Sequence, residues 1–366
     1  IDRVQTEPNQ QTFASTRSVE APADVQALGV DDQGREVLAA ANVVHRLENG
    51  ELMPYALFAA DDDPTKLGTV YAISARSAGG AWIAAERGLF ILESPYVRFA
   101  GLPGPVRGVQ EVDSGDLSGV WLLTDEGLRR EQSDGAFVYT LETQSAATQV
   151  SIAPDGSRGG AMFGNTAFVV GVDSEGVFFE ETLVGVPAAD HIVATNSGVY
   201  LGTSAGVYRH NGEAWTQYAL TAQGAKPDLR MTSDLQSGAV WVRTEQAYVQ
   251  IEADQLYAFS SSGTSGPMAV NGLGDLVSPL GIMLEIRSIT GVQSVGFQEN
   301  VLPWLEDNCL QCHANNTANY AEIEVFKERA ASALARVRSG DMPRCEGGLR
   351  CDAGLSPTDY FGFARG

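Results

Sequence analysis

The sequence has no long apolar run and little positive charge. No stretch reaches the roughly 18 to 20 consecutive apolar residues that a membrane-spanning helix requires. Lys and Arg total 24 against 46 Asp and Glu, so the formal net charge is −22. No basic stripe is present that could replace the counterions on nucleic-acid phosphates. These absences argue against a membrane-spanning helix in this sequence and against nucleic acid as a partner.

Histidine and cysteine are scarce as well. The first 308 residues contain no cysteine, and the chain has only four histidines. Three of them, His45, His191 and His210, are too few and too scattered for a histidine-rich copper cluster, so we expect them at surface or turn positions. The N-terminal part therefore shows no second cofactor site.

The negative charge is unevenly distributed. Residues 298–366 hold ten acidic and seven basic residues, which leaves −19 of the net charge on residues 1–297. An acidic surface of this kind suits a basic partner protein, although solubility alone accounts for such a surface equally well.

Residues 1–22 are polar, with frequent Gln and Thr and with Pro8 and Pro22. This composition predicts a flexible leader, or a tether to a membrane. The first residue is Ile1, as expected for a chain whose export signal has been removed or for a fragment with a chosen boundary.

Forty glycines and many short apolar runs predict a mainly β body with tight turns. A phrase consisting of a small residue, an apolar pair, a short polar stretch and a second apolar pair recurs through the N-terminal part. Its first large apolar positions, separated by 45, 39, 41, 38, 41 and 35 residues, are Val37, Trp82, Trp121, Met162, Tyr200, Trp241 and Leu276. A period of about 40 residues is typical of β-propeller blades. We therefore predict a seven-bladed β-propeller over residues 23–297, with the three tryptophans in its core.

The clearest copies of the phrase begin at Gly80, Gly119 and Gly198. They are similar to the propeller repeats of two-component regulator sensors and related ligand-binding propellers. Blades one, four and seven match the phrase poorly, so six or eight blades remain alternatives.

All four cysteines lie within the last 58 residues. The first pair belongs to Cys309-Leu310-Gln311-Cys312-His313, the C-x-x-C-H pattern of covalent haem attachment. In this chemistry the two thiols form thioethers with the haem vinyl groups, and the adjacent histidine ligates iron. Two alternatives are a redox dithiol, which lacks its usual βαβ context here, and half of a zinc site completed by Cys345 and Cys351.

The flanking sequence favours haem over these alternatives. Apolar residues before the motif recur at near-helical spacing, and Tyr320 to Val337 reads as an amphipathic helix that stops at Ser339-Gly340. Met342, followed by Pro343, comes directly after this helix, and a thioether there can occupy the sixth iron position.

Residues 298–366 resemble the class I cytochrome c family, in which a C-x-x-C-H motif, a helix, a Met-Pro loop and a final helix start occur in this order. The resemblance implies a small all-α domain with one covalently bound haem c, held by Cys309 and Cys312 and ligated by His313 and Met342. The tail after Tyr360 is shorter than usual for the family. The predicted fold is therefore mainly β, with a propeller followed by a cytochrome domain.

Cys345 and Cys351 flank a short glycine-rich loop. We expect a disulfide between them, because haem attachment of this kind takes place outside the cytoplasm, where disulfides persist. Free thiols or a second metal site are the alternatives.

The leading functional hypothesis is a periplasmic or otherwise extracytoplasmic bacterial electron carrier, in which His/Met-ligated haem exchanges electrons and the propeller docks a redox partner protein. It is a carrier rather than a catalyst. One alternative is a haem-relay and scaffold subunit of a larger, membrane-associated respiratory or photosynthetic complex. Another is a propeller oxidoreductase that delivers electrons to the fused cytochrome.

Overall fold

The computed structural model describes the chain with gaps up to Ile289. The described ranges are 2–4, 8–40, 43–57, 67–94, 96–131, 137–142, 147–164, 166–173, 176–181, 188–218, 220, 230–234, 237–244, 246–252, 254–260 and 266–289. The chain divides into two units, Ile1–Ile289 and Thr290–Gly366. All described residues belong to the first unit, and the predicted cytochrome domain over 298–366 lies outside them.

Strands make up the described part of the chain, which contains no helix. Accordingly, none of its helices could cross a membrane. Three strands come before the first blade: β1 (Asp2–Val4), β2 (Asn9–Gln11) and β3 (Ser15–Glu20). Blade 1 contains β4 (Val25–Val30), β5 (Glu36–Ala40), β6 (Val43–Glu48) and β7 (Glu51–Leu57). Blade 2 contains β8 (Val70–Ala75), β9 (Ala81–Ala85), β10 (Gly88–Glu93) and β11 (Tyr96–Pro103). Blade 3 contains β12 (Val106–Val112), β13 (Gly119–Thr124), β14 (Gly127–Glu131) and β15 (Phe137–Glu142).

The remaining strands complete four further blades. Blade 4 contains β16 (Ala147–Ile152), β17 (Gly159–Phe163), β18 (Thr166–Asp173) and β19 (Gly176–Glu181). Blade 5 contains β20 (Ala189–Thr195), β21 (Gly198–Thr203), β22 (Gly206–His210) and β23 (Trp215–Tyr218). Blade 6 contains β24 (Arg230–Ser233), β25 (Val240–Arg243), β26 (Ala247–Glu252) and β27 (Gln255–Ser260). Blade 7 contains β28 (Ala269–Val270), β29 (Leu276–Leu280) and β30 (Met283–Ser288).

The first strand of each blade lies innermost. These strands contact one another in a closed cycle, from β4 through β8, β12, β16, β20 and β24 to β28 and back to β4. Within each blade the strands pair antiparallel in chain order. The described residues thus form a seven-bladed β-propeller, which confirms the predicted fold and blade number.

The second strand of each blade carries the core. β5, β9, β17, β21 and β25 are buried at every position, because both faces of a blade pack against its neighbours. Trp82, Trp121 and Trp241 lie in three of the second strands and are at most 9% exposed. Their predicted core role is confirmed.

Two of the predicted repeat positions are out of register. Trp121 lies three residues before Thr124, the residue that closes the turn between its second and third strands. The equivalent residue in blade 4 is Gly160 rather than Met162, and in blade 7 it is Val277 rather than Leu276. A shift of one residue reverses the face of a strand. Leu276 accordingly packs between blades 6 and 7, whereas Val277 packs beside Leu28 and Leu38 of blade 1.

The N-terminal strands close the ring. β3 pairs antiparallel with β30 as the outermost strand of blade 7, from Ser15 opposite Ser288 to Glu20 opposite Met283. β1 and β2 pair parallel with the outer strands β23 and β27. These strands replace the flexible leader that we expected over residues 1–22.

The polar composition of this segment has a structural reason. Only Val19 of β3 is buried, because both faces of an outermost strand are largely in contact with water. Pairing comes from the backbone, and few apolar anchors are needed. Val19 packs into the core between blades 7 and 1, and Phe13 stacks on Phe259 with ring centroids 4.7 Å apart.

A close backbone contact joins blades 1 and 7 beside this closure. Gly34 and Gly272 lie in turns between first and second strands, and the Gly272 N–H donates to the Gly34 oxygen at 2.8 Å. Gly34 has a φ of +73°, and a Cβ there would lie 2.4 Å from the Gly272 Cα. Only glycine fits this contact.

His45 in β6 gives the propeller a pH-dependent stability. Burial lowers the pKa of His45 from 6.5, against a weaker opposing effect of a backbone hydrogen bond to Val43. The unfolded chain therefore takes up a proton first as the pH falls below about 6.5, which favours unfolding. We expect a His45→Gln variant to gain stability relative to the parent chain between pH 7.5 and 5.5, measured by urea denaturation. A stability difference that does not change with pH would contradict this assignment.

Candidate functional site

The haem-site residues predicted from the sequence lie outside the described residues: Cys309, Cys312, His313, Met342, Cys345 and Cys351. Their donor set of two thiols, one imidazole and one thioether fits a covalently attached haem c. Within the described part of the chain, no group of three or more His, Cys, Asp or Glu residues could hold a metal ion.

A repeated irregularity marks one end of the central channel. Among the described residues, five innermost strands carry a β-bulge near their N-terminal ends. The bulged residues are Gln26, Tyr71, Arg107, Thr148 and Asp190. A bulge removes one residue from the strand ladder and redirects its side chain. The bulges therefore collect polar side chains from successive blades around the axis, on the side of the turns between second and third strands.

A cavity of about 440 Å³ lies at this end of the channel, which we call the channel mouth. Five blades contribute to its wall. The polar and aromatic lining residues are Tyr71, Arg107, Thr148, Gln149, Asp190, His191 and Arg230. Ligand cavities typically measure about 300 to 1,000 Å³ and have a few convergent polar groups, so the channel mouth qualifies as a binding site.

Arg107 is held in place at the channel mouth. Its Nε donates to Asp125 Oδ1 at 2.9 Å, and its guanidinium lies 4.6 Å from the centroid of the Tyr71 ring. The hydrogen bond to Asp125 raises the pKa of Arg107, with smaller contributions from Tyr71 and Glu86 and an opposing effect of burial. Arg107 is thus a fixed positive charge.

A second polar group lies across the cavity, where blades 5 and 6 meet. Arg230, the first residue of β24, has its Nη1 3.4 Å from Nε2 of His191 in β20. Asp190, next to His191, is exposed in the cavity wall. Two guanidinium groups, one imidazole and one carboxylate therefore line the same space.

Neighbouring blades are linked at the channel by side-chain bonds to strand edges. Gln26 Oε1 accepts the Val70 N–H at 3.2 Å, and Gln149 Oε1 accepts the Ile192 N–H at 3.0 Å. An innermost strand has an edge with no strand partner, and these side chains satisfy part of it. The bonds also fix the spacing of the blades around the channel mouth.

The sequence interpretation missed the channel mouth. His191 was expected at a surface or turn position, but His191, His210 and His45 all lie in strands and are partly buried. The signal was present, because the bulged residues recur about 40 residues apart and each precedes an apolar residue by two positions. The phrase that defined the repeat began only at the second strand, so the innermost strands were not aligned.

No protein-family profile matches the chain, and none of the curated proteins is similar to it. Many solved structures share the fold. A streptogramin B lyase matches 75% of this chain and 98% of its own, at 13% identity and a TM-score of 0.57. The extracellular domains of a putative hybrid two-component system and of a putative one-component system, both from B. thetaiotaomicron, match with TM-scores of 0.53 and 0.54 at 13% identity.

These similarities establish the fold alone. The chain spans 40% and 42% of the two B. thetaiotaomicron chains, and they cover 74% and 77% of this one. The predicted resemblance to propellers of two-component sensors is confirmed at the level of the propeller fold, and two of these structural neighbours are extracellular domains of bacterial proteins.

Proposed function

We propose that this chain is a bacterial extracytoplasmic electron-transfer protein, in which a C-terminal haem c domain is fused to a partner-docking propeller. The observation that carries the proposal is the Cys309-Leu310-Gln311-Cys312-His313 motif, followed 29 residues after His313 by Met342. Two thiols at this spacing and the next histidine are what covalent haem attachment requires. When bound, a His/Met-ligated haem supplies reversible one-electron transfer at a raised potential.

The cellular location follows from the same chemistry. Covalent haem attachment and the Cys345–Cys351 disulfide both belong to an oxidising compartment. The extracellular domains among the structural neighbours are consistent with a periplasmic or surface location.

In this proposal the propeller acts through its charge. Residues 1–297 carry −19 of the total charge of −22. An acidic surface of this size accelerates the approach of a basic redox partner and loses this effect as salt screens it. The seven stacked blades form a rigid support for such a surface.

Two observations favour alternatives. The charged residues that converge at the channel mouth suit a propeller that binds a substrate and passes electrons to the haem domain. Met53, Tyr96 and Phe99, each at least 44% exposed on the outer strands β7 and β11, suit a relay and scaffold subunit of a larger complex. Purification of the native chain with stable partner subunits would favour the scaffold.

The visible spectrum of the exported full chain tests the proposal. We expect covalently bound haem whose methionine-to-iron absorption band is lost in Met342→Ala. We expect no covalent haem in the Cys309→Ala/Cys312→Ala double variant, because neither thioether can form. Met53→Ala, which alters an exposed methionine of the propeller, serves as the matched control and should leave the spectrum unchanged.

Two results would overturn parts of the proposal. A chain without haem after expression with a complete haem-attachment system returns the C-x-x-C pair to a zinc or dithiol role. Bound haem with an unchanged band in Met342→Ala would show that another group occupies the sixth iron position.

A further inference from the structure

We infer that the channel mouth binds a small anionic molecule, whose carboxylate or phosphate oxygens are held by Arg230 and Arg107. This inference does not depend on haem, since all of its residues belong to the propeller. It assigns to the propeller a ligand that the docking role does not require.

The charges of the cavity wall decide the sign of the ligand. Residues 1–297 carry a net charge of −19, yet Arg107 and Arg230 face one carboxylate, Asp190, in this wall. Asp125 neutralises part of the charge on Arg107. The channel mouth is therefore a locally cationic site on an acidic propeller, and such a site retains an anion by short-range contacts.

Arginine is also the appropriate residue type for this ligand. Its guanidinium presents several N–H groups in a planar fork that matches a carboxylate or phosphate. Asp125 and Tyr71 already fix Arg107, so little side-chain freedom is lost when an anion binds. His191 beside Arg230 supplies a further polar contact.

The remaining wall determines the size and polarity of the ligand. The volume of about 440 Å³ suits a small organic molecule. Thr148 is exposed, and Gln149 is held by its bond to the Ile192 N–H, so the side of the cavity formed by blade 4 offers hydrogen bonds instead of apolar contact. A ligand that combines an anionic group with hydroxyl groups fits this wall best.

Isothermal titration calorimetry of the full chain in a low-salt buffer free of phosphate and carboxylate tests the inference. The probes are citrate and inorganic phosphate, with glucose as a neutral probe and spermidine as a cation. We expect at least one anion to bind, and its Kd to rise about tenfold or more in Arg230→Gln, since tenfold corresponds to about 1.4 kcal/mol. A preference between citrate and phosphate identifies the anionic group.

Two further variants make the test specific. Asp190→Asn removes the one carboxylate among the lining residues and should lower the Kd several-fold. Arg98→Gln, on the outer strand β11 and paired with Glu93, is the matched control and should leave the Kd unchanged. Thermal unfolding of each variant confirms that the propeller is folded. Failure of both anions to bind, equal binding of glucose or spermidine, or an unchanged Kd in Arg230→Gln would overturn the inference, whereas the haem spectrum would be unaffected.

Discussion

Deletion of residues 1–20 is expected to open the propeller ring and to lower its free energy of unfolding by several kcal/mol. The deletion removes β3, which makes the outermost strand of blade 7, together with the buried Val19 and the stacked Phe13. Burial of an apolar side chain of this kind contributes about 1.5 to 3 kcal/mol, and the backbone bonds of β3 add to this. Urea denaturation followed by tryptophan fluorescence measures the loss.

A shorter truncation is the matched control. Removal of residues 1–5 eliminates β1, which pairs along the outer edge of blade 5, but leaves Phe13 and β3 in place. We expect its effect to be a small fraction of the longer deletion. If both truncated chains unfold at the same urea concentration as the intact chain, residues 1–20 do not close the ring and the flexible-leader interpretation is restored.

Trp121→Ala is expected to destabilise the propeller by about 3 to 5 kcal/mol, the usual cost of truncating a fully buried tryptophan. Trp121 is 0% exposed and packs in the core between blades 3 and 4, beside Ile152 and Phe163. Its Nε1 donates to the Leu117 oxygen at 2.7 Å, and the guanidinium of Arg130 lies 5.2 Å from its ring centroid. The substitution therefore leaves a cavity and an unpaired carbonyl.

Tyr96→Ala provides the comparison for this substitution. Tyr96 is 46% exposed on the outer strand β11, so its truncation should cost less than about 1 kcal/mol. Both variants are measured by urea denaturation under the same conditions. Equal losses for Trp121 and Tyr96 would contradict the assignment of Trp121 to the core.

The repeat was readable in the sequence because the second strands are buried on both faces. Large apolar side chains such as Trp82, Trp121 and Tyr200 are required there in successive blades, so the period of about 40 residues is visible without a structure. The same reasoning failed in register where small side chains fill the position, as at Gly160. The seventh anchor also slipped by one residue, because Leu276 and Val277 are both buried and apolar.

The channel mouth was not readable in this way. Its residues come from five blades, and in the sequence Tyr71 and Arg230 are ordinary members of strands far apart in the chain. A bulge is a property of how two strands pair, and a single strand does not reveal it. Convergence of these side chains needs the closed ring.

The sequence by itself determined the chemistry of the chain and the number of blades. Haem attachment depends on residues that are adjacent along the backbone, Cys309, Cys312 and His313, and the blade number follows from a local period. The tertiary structure alone decided which strand closes the ring and which side chains meet at the channel mouth. Both depend on contacts between distant residues: β3 is polar because it lies outermost, and its partner β30 follows more than 260 residues later. Such pairings are selected by the geometry of a closed ring, which no local pattern contains.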